Sequence, residues 1–290
     1  MFCEKEVVIM VKEKRKRNID FIVKICLIFL LIYNKQAILL IKFKDKKFNV
    51  MKQKNKIKKL NRSWSVRYFL LPISLLIAIF ANMFPITYII IAITVFVSVT
   101  AMGNAELKNK MMFNAYMINN RKEWWRFFSH GLIHADWLHL GFNMYALWIF
   151  GKSLESAFSY DEIYGAKGPF FFILLYVGGL VMSSLYSYER NKNNVHYNAL
   201  GASGAVSAVI FSFIILAPTA RLGLMFIPIP IPAYLFGLIM LGVEHYLSKR
   251  GNTGIAHDAH FWGSVYGAVF TIALKPSLAV DFVHKIMGTY

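Results

Sequence analysis

An all-α membrane protein, a bundle of six transmembrane helices behind a basic N-terminal extension, is the fold this sequence predicts. Three observations carry that prediction. Hydrophobic residues make up 57% of the 290 and charged residues only 17%, whereas soluble domains run nearer a quarter charged. The apolar residues gather into segments of near-span length, with the charges collected in the loops between them. The net charge of +18 is concentrated at one end: residues 1–67 hold 19 Lys/Arg against 5 Asp/Glu, leaving a net of +4 for the other 223 residues. A basic arm ahead of membrane spans fits retention beside anionic lipid. No helix-turn-helix or zinc pattern accompanies the charge, which argues against nucleic acid as a partner.

The extension is assigned to residues 1–83, the helical core to 84–276 and a tail to 277–290. Residues 19–33 are apolar but interrupted by Lys24. At under 20 residues they are short for a span and fit an interfacial helix. Residues 42–67 are lysine-rich, and 68–82 form a second apolar segment of open topology, broken at Pro72. The motif-free character of residues 1–67 also suggests a start at Met51 or Met83, which N-terminal sequencing would test. Cys3 and Cys26 both lie in the arm, so a disulfide in the core is excluded and no metal-type spacing arises.

The first span is Ile86–Met102. Five more apolar segments follow, at about 135–151, 169–187, 201–217, 233–247 and 258–274. The connections Asn104–Arg126, Lys152–Lys167, Glu189–Lys192 and Lys249–Asn252 carry charges. Between segments four and five, alternating proline from Ile227 to Pro232 forbids helix and predicts an extended strand along the bilayer surface. Helices two, four and six of such a bundle run in one direction. Asn143, Ser203 and His260 lie near the beginnings of these three, so they fall at one depth.

Polar groups in hydrocarbon-grade sequence are expensive and point to chemistry within the membrane. Ser203 sits in Gly201-Ala202-Ser203-Gly204 at the head of an apolar run. A serine hydroxyl needs a base to become a nucleophile, and the oxyanion it creates needs donors. His260 can supply the base. Gly263 and Gly267 form a small-residue face below it, to which Gly201, Ala205 and Ala208 are the expected reply. His139 and Asn143, at i and i+4, project from one helical face and can both donate to an oxyanion. The bland alternative is that these polar residues only join helices by hydrogen bonds. A shared depth and a glycine-flanked serine weigh against it.

Metal binding is the competing use of histidine. His130 and His134 are spaced i, i+4, and His257 and His260 i, i+3. No His-Glu-x-x-His occurs, and no carboxylate is read as lying deep in a span beside them, so no metal and no cofactor is expected. His130 and His134 are expected to brace the entry loop.

The ordered set Trp125-Arg126, His130-Gly-Leu-Ile-His134, His139-x-x-x-Asn143, Gly201-Ala-Ser203-Gly204 and Ala259-His260-x-x-Gly263-x-x-x-Gly267 resembles the rhomboid family of intramembrane serine proteases. The likeness runs from about Ile86 to Leu274. It implies a rhomboid-like bundle with a Ser203–His260 dyad lacking a third acid, and an oxyanion stabilised by His139 and Asn143. It also implies a first loop anchored by Trp125 and Arg126, lying partly in the outer leaflet. Glu155 matches a position that ties loops at the inner side. Substrates would be single-span or polytopic membrane proteins cut near the outer face of the bilayer. The implied location is the bacterial plasma membrane, with the active site toward the outside. One position departs from the pattern: Ser207 stands where some members carry an aromatic that supports the imidazole, leaving Trp262 or Tyr266 as candidates for that task.

Two rivals come from other classes. A catalytically silent relative that binds and routes membrane proteins would share the fold, though the presence of both Ser203 and His260 argues against it. A transporter would show broken-helix repeats and paired intramembrane carboxylates, which the sequence lacks.

Overall fold

The computed structural model describes residues 85–224, 227–250 and 256–289. The basic extension, its apolar segments 19–33 and 68–82, both cysteines and the alternative starts all lie outside the described residues. So does the loop 251–255.

Helices dominate what is described. They are α1 (Ile86–Met102), α2 (Ala105–Met111), α3 (Ala115–Arg121), α4 (Arg126–Ser129), α5 (Trp137–Ala146) and α6 (Lys152–Phe158). Then come α7 (Gly168–Asn191), α8 (Ser203–Leu216), α9 (Ala233–Arg250), α10 (His257–Leu274) and α11 (Ser277–Met287). Each predicted span therefore coincides with a helix, and among the described residues the fold is all-α apart from one hairpin. α7, taken with its lead-in from Gly165, is long and apolar enough to cross a membrane on its own. α10 and α11 pass that test only together, across a bend of 111°.

The second span overruns its expected end. α5 continues through one π-helical turn, Leu147–Gly151, into α6. Lys152 was expected to open a loop, but it is exposed and does not interrupt the helix. Glu155 gives α6 a reason to persist. Its carboxylate accepts bonds from the Ile86 and Thr87 backbone N–H groups at 2.6 and 3.0 Å and from the Thr87 hydroxyl at 2.8 Å. These are the orphan donors at the start of α1, where negative charge is favoured. Glu155 thus joins a helix to a helix terminus, where a tie between loops was expected.

The connection expected over Asn104–Arg126 is largely folded. Asn104 and Asn114 cap α2 and α3 by accepting from the N–H groups of Leu107 and Met117. Phe113, Ala115, Ile118 and Phe127 make a buried cluster beside Tyr188 and Tyr197. Phe113 and Ala199 exchange backbone bonds at 2.9 and 3.0 Å, which ties this loop to the chain leading into Ser203. The proline-rich connection is extended, as its residues require: β1 (Arg221–Leu224) pairs antiparallel with β2 (Ile227–Pro232).

α8 is the hub of the bundle, with eleven of its 14 residues buried. It packs closest on α10. A Cβ on Gly263 would collide with the Gly204 carbonyl, and one on Gly267 with the Ala208 carbonyl. The two backbones are therefore in contact. The small face that answers Gly263 and Gly267 is Gly204 and Ala208, and not the expected Gly201 and Ala205. Ala205 instead faces Gly179 of α7, whose added Cβ would lie 3.0 Å from the Ala205 Cα. Gly201 lies outside the helix.

Candidate active site

Ser203 is the first residue of α8 and His260 lies in the first turn of α10. The contact between these two helices brings His260 Nε2 to 2.7 Å from Ser203 Oγ. That is nucleophile-to-base geometry.

The approach to Ser203 is shaped by Gly201, at φ +116°. A side chain there would be strained. Its Cβ would also lie 2.7 and 2.8 Å from Cε1 and Nε2 of His139. The His139 ring therefore rests directly against the backbone that precedes the serine. α5 is capped by Asp136, whose carboxylate accepts the His139 N–H at 2.8 Å, and this fixes where His139 starts along the helix. Asn143 is buried one turn on and donates to the His139 carbonyl at 2.9 Å. A carboxamide carries two N–H hydrogens, so one remains for another acceptor.

His134 lies in the loop before α5 with no exposed surface. Its Nε2 accepts the Ala202 N–H at 3.3 Å, so its proton sits on Nδ1, 2.9 Å from the Ser98 hydroxyl. The Ser98 hydroxyl in turn donates to the Leu132 carbonyl at 2.9 Å. Burial, and next the neighbouring His139, push the His134 imidazole down to about 3, so it stays neutral. His130 is pushed down to about 4 by burial. Its Nδ1–H donates to the Arg126 carbonyl at 2.8 Å, and its own carbonyl accepts the Gly201 N–H at 2.9 Å. Both histidines thus hold the Gly201–Ala202 backbone in place.

Arg126 is buried and donates to the carbonyls of Asn109 and Met112 at 2.9 and 2.7 Å, with Glu123 on its Nε at 2.6 Å. It crosslinks the first loop. Trp125 does not share that role: 48% exposed, it projects from the loop surface.

A carboxylate joins the site from α9. Glu244 Oε1 lies 3.0 Å from His260 Nδ1, and Oε2 lies 2.6 Å from His257 Nδ1. The expectation that no carboxylate accompanies these histidines within a span is thereby corrected. So is the expected support for the imidazole. Trp262 packs on Tyr186 and Phe261, and the Tyr266 hydroxyl donates to the Leu174 carbonyl at 3.3 Å. Glu244 is one acidic residue near the end of an apolar segment, 16 residues before His260 across a loop. Helical spacing could not pair them, although an acid in such a segment was itself the available signal. Among the described residues, Glu244, His257 and His260 are the group that could hold a metal ion, their ligand atoms lying within 4.8 Å of one another.

Two cavities lie near the start of α10, one of them against the serine. One of ≈ 20 Å³ touches Ser203 and is lined by Ser183, Ser184, Ser187 and Gly201. Four serines, Ser203 among them, line it beside apolar residues such as Phe113 and Leu200, and it is large enough for a single water. The other, of ≈ 290 Å³, opens where the ends of α7, α9 and α10 meet, between Arg190, His245, Lys249, Asp258 and Trp262.

The Rhomboid domain family profile matches residues 121–277, more than half of the chain. "RHOMBOID-like protein 12, mitochondrial" of Arabidopsis thaliana is 31% identical over 153 residues, covering 47% of this chain and 42% of that protein. "Rhomboid protein 1, mitochondrial" of Saccharomyces cerevisiae is 30% identical over 140 residues, 47% of this chain and 38% of that protein. "Rhomboid protease AarA" of Providencia stuartii is 23% identical over 175 residues, 55% of this chain and 59% of that protein. The chain therefore matches about half the length of these relatives. The expected bacterial plasma membrane is overturned by the mitochondrial names of the Arabidopsis and yeast relatives.

Proposed function

The chain belongs to the rhomboid family, and on that premise we propose that it is an intramembrane serine endopeptidase acting on transmembrane segments of other membrane proteins. The observation that carries this reading is the 2.7 Å approach of His260 Nε2 to Ser203 Oγ at the head of a buried helix.

The proposed spans are α1, α5 with α6, α7, α8, α9 and α10. With 14 residues, α8 is about 21 Å long. That falls short of the roughly 30 Å hydrocarbon layer, which leaves Ser203 below the bilayer surface. The irregular chain above it is tolerable at that depth because it is buried in protein.

Ser203 Oγ attacks the scissile carbonyl carbon while its proton passes to His260 Nε2. The negative charge that develops on the carbonyl oxygen meets the N–H groups at the start of α8, which have no partner inside the helix. The second N–H of Asn143 and the imidazole of His139 complete the set of donors. Each such donor is worth about 10²–10³ in rate. His260 returns the proton to the leaving amine, and the acyl-serine is then cleaved by water, which the serine-lined cavity beside Ser203 can admit.

A helical peptide bond is shielded by its own hydrogen bonds, so the substrate must unwind locally. Segments weakened by Gly, Ala or Pro near the bilayer surface should therefore be preferred. We place the protein in a mitochondrial membrane, on the names of two of its relatives. Cell fractionation that recovers it in another membrane would overturn that placement.

The test of activity is a fluorophosphonate label on detergent-purified protein. Labelling should occur in the wild type and disappear in both Ser203→Ala and His260→Ala. A folded wild type that takes no label and cuts no transmembrane reporter would favour the silent relative.

A further inference from the structure

We propose that Glu244 is the positioning residue for the base, extending the Ser203–His260 pair to a Ser–His–Glu relay whose carboxylate is itself held by His257. The chemistry of this inference rests on the protease reading above.

The argument begins with the tautomer. To take the Ser203 proton, His260 Nε2 must be bare, so the neutral ring carries its hydrogen on Nδ1. Glu244 Oε1 stands 3.0 Å from that nitrogen and can accept the hydrogen. Without an acceptor there, the ring is free to turn or to adopt the other tautomer. Charge supplies the second step. When the proton moves from Ser203 Oγ to Nε2, the ring becomes an imidazolium and the substrate oxygen an oxyanion. A carboxylate on the opposite nitrogen offsets the new positive charge without taking the proton, which later leaves with the amine.

The carboxylate must also be held. Its side chain is only 14% exposed, and a buried charge without partners is costly. His257, 8% exposed, approaches the second oxygen at 2.6 Å, so each oxygen has its own imidazole. The tie also spans two helices. Within α9 the buried residues are Ala233 and Gly237, both at its beginning. Glu244 therefore fixes the far half of α9 against α10 through the catalytic ring. Among the described residues no other side chain bonds His260 Nδ1, and Trp262 and Tyr266 are engaged elsewhere.

The test compares wild type, Glu244→Gln and Glu244→Asp in detergent. Cleavage of a transmembrane reporter, melting temperature and the imidazole proton spectrum are the readouts. Glu244→Gln should lower kcat by about 10²–10⁴, leave KM within about twofold, and move the acid limb of kcat/KM to lower pH, because the imidazolium loses its counter-charge. Glu244→Asp should recover part of the rate and of the limb. The wild type should show a downfield His260 Nδ1 proton that disappears in Glu244→Gln.

An unchanged rate and acid limb in Glu244→Gln would overturn the proposal. So would a rate loss that follows melting temperature with the limb unmoved, since the carboxylate would then be only a tie between helices. Inactivation by EDTA with recovery on adding zinc would also overturn it, by making the trio a metal site. If the wild type itself neither cuts nor labels, the protease reading fails. The Nδ1 proton, present in the wild type and absent in Glu244→Gln, would still decide the contact.

Discussion

Gly201 illustrates how much of this site is decided by single positions. Its φ of +116° and the His139 ring against its Cα leave no room for a side chain. Gly201→Ala should therefore strain the backbone before Ser203 and displace His139 from its proposed place among the oxyanion donors. Labelling by fluorophosphonate should slow by about 10²–10³, the worth of one oxyanion donor, while the protein remains folded. A wild-type labelling rate in Gly201→Ala would sink this account. Ser203, His260 and His139 are legible in the sequence because their residue types are costly in apolar segments and their spacings repeat helical geometry. Glu244 was not legible as a partner, because its contact depends on how α9 leans on α10. Asn143 was legible by position, yet its bond to the His139 carbonyl adds a local role that spacing does not specify.

At the scale of elements, the junction of α8 and α10 does the positioning. The glycine spacing in α10 announces a close helix contact, but which small residues answer depends on the rotation of α8. That rotation sends Gly204 and Ala208 toward α10 and Ala205 toward α7. A methyl group on Gly267 would meet the Ala208 carbonyl and lie 2.6 Å from the Ala208 Cα. Gly267→Ala must push two backbones apart, an overpacking that costs about 1–3 kcal/mol. The separation should reach His260, two turns up the same helix, and lengthen its approach to Ser203. Melting temperature and labelling rate should therefore fall together in this variant. Gly141→Ala and Gly242→Ala are the controls, since nothing lies within 4 Å of an added Cβ at either position. Both should behave as wild type; equal losses in the controls would refute the contact as the cause.

Across the described residues, small polar side chains share the interior with the apolar core while many large apolar ones face outward. Thr87, Thr94, Ser98, Ser212, Ser264 and Thr271 are fully buried, while Phe96 is 74% exposed and Leu138 70%. Small polar residues inside let helices approach and bond, and large apolar ones outside cost nothing when lipid is the solvent. Composition announced the membrane, but only the packed helices reveal which face each residue takes, because α1 has nearly uniform hydrophobicity around its axis. A direct test follows from Phe96, on the exposed side of α1. In water, Phe96→Lys would be neutral or would improve solubility, since it replaces an exposed aromatic with a charge. In a bilayer it places an ammonium among acyl chains, at a cost of about 2.5–3.5 kcal/mol near a helix centre. The variant should therefore insert less completely, measured as the fraction resisting carbonate extraction. Ser98→Lys, on the buried face, should fail to fold in either solvent. Full insertion of Phe96→Lys would mean that this face of α1 is covered by protein or water and not by lipid.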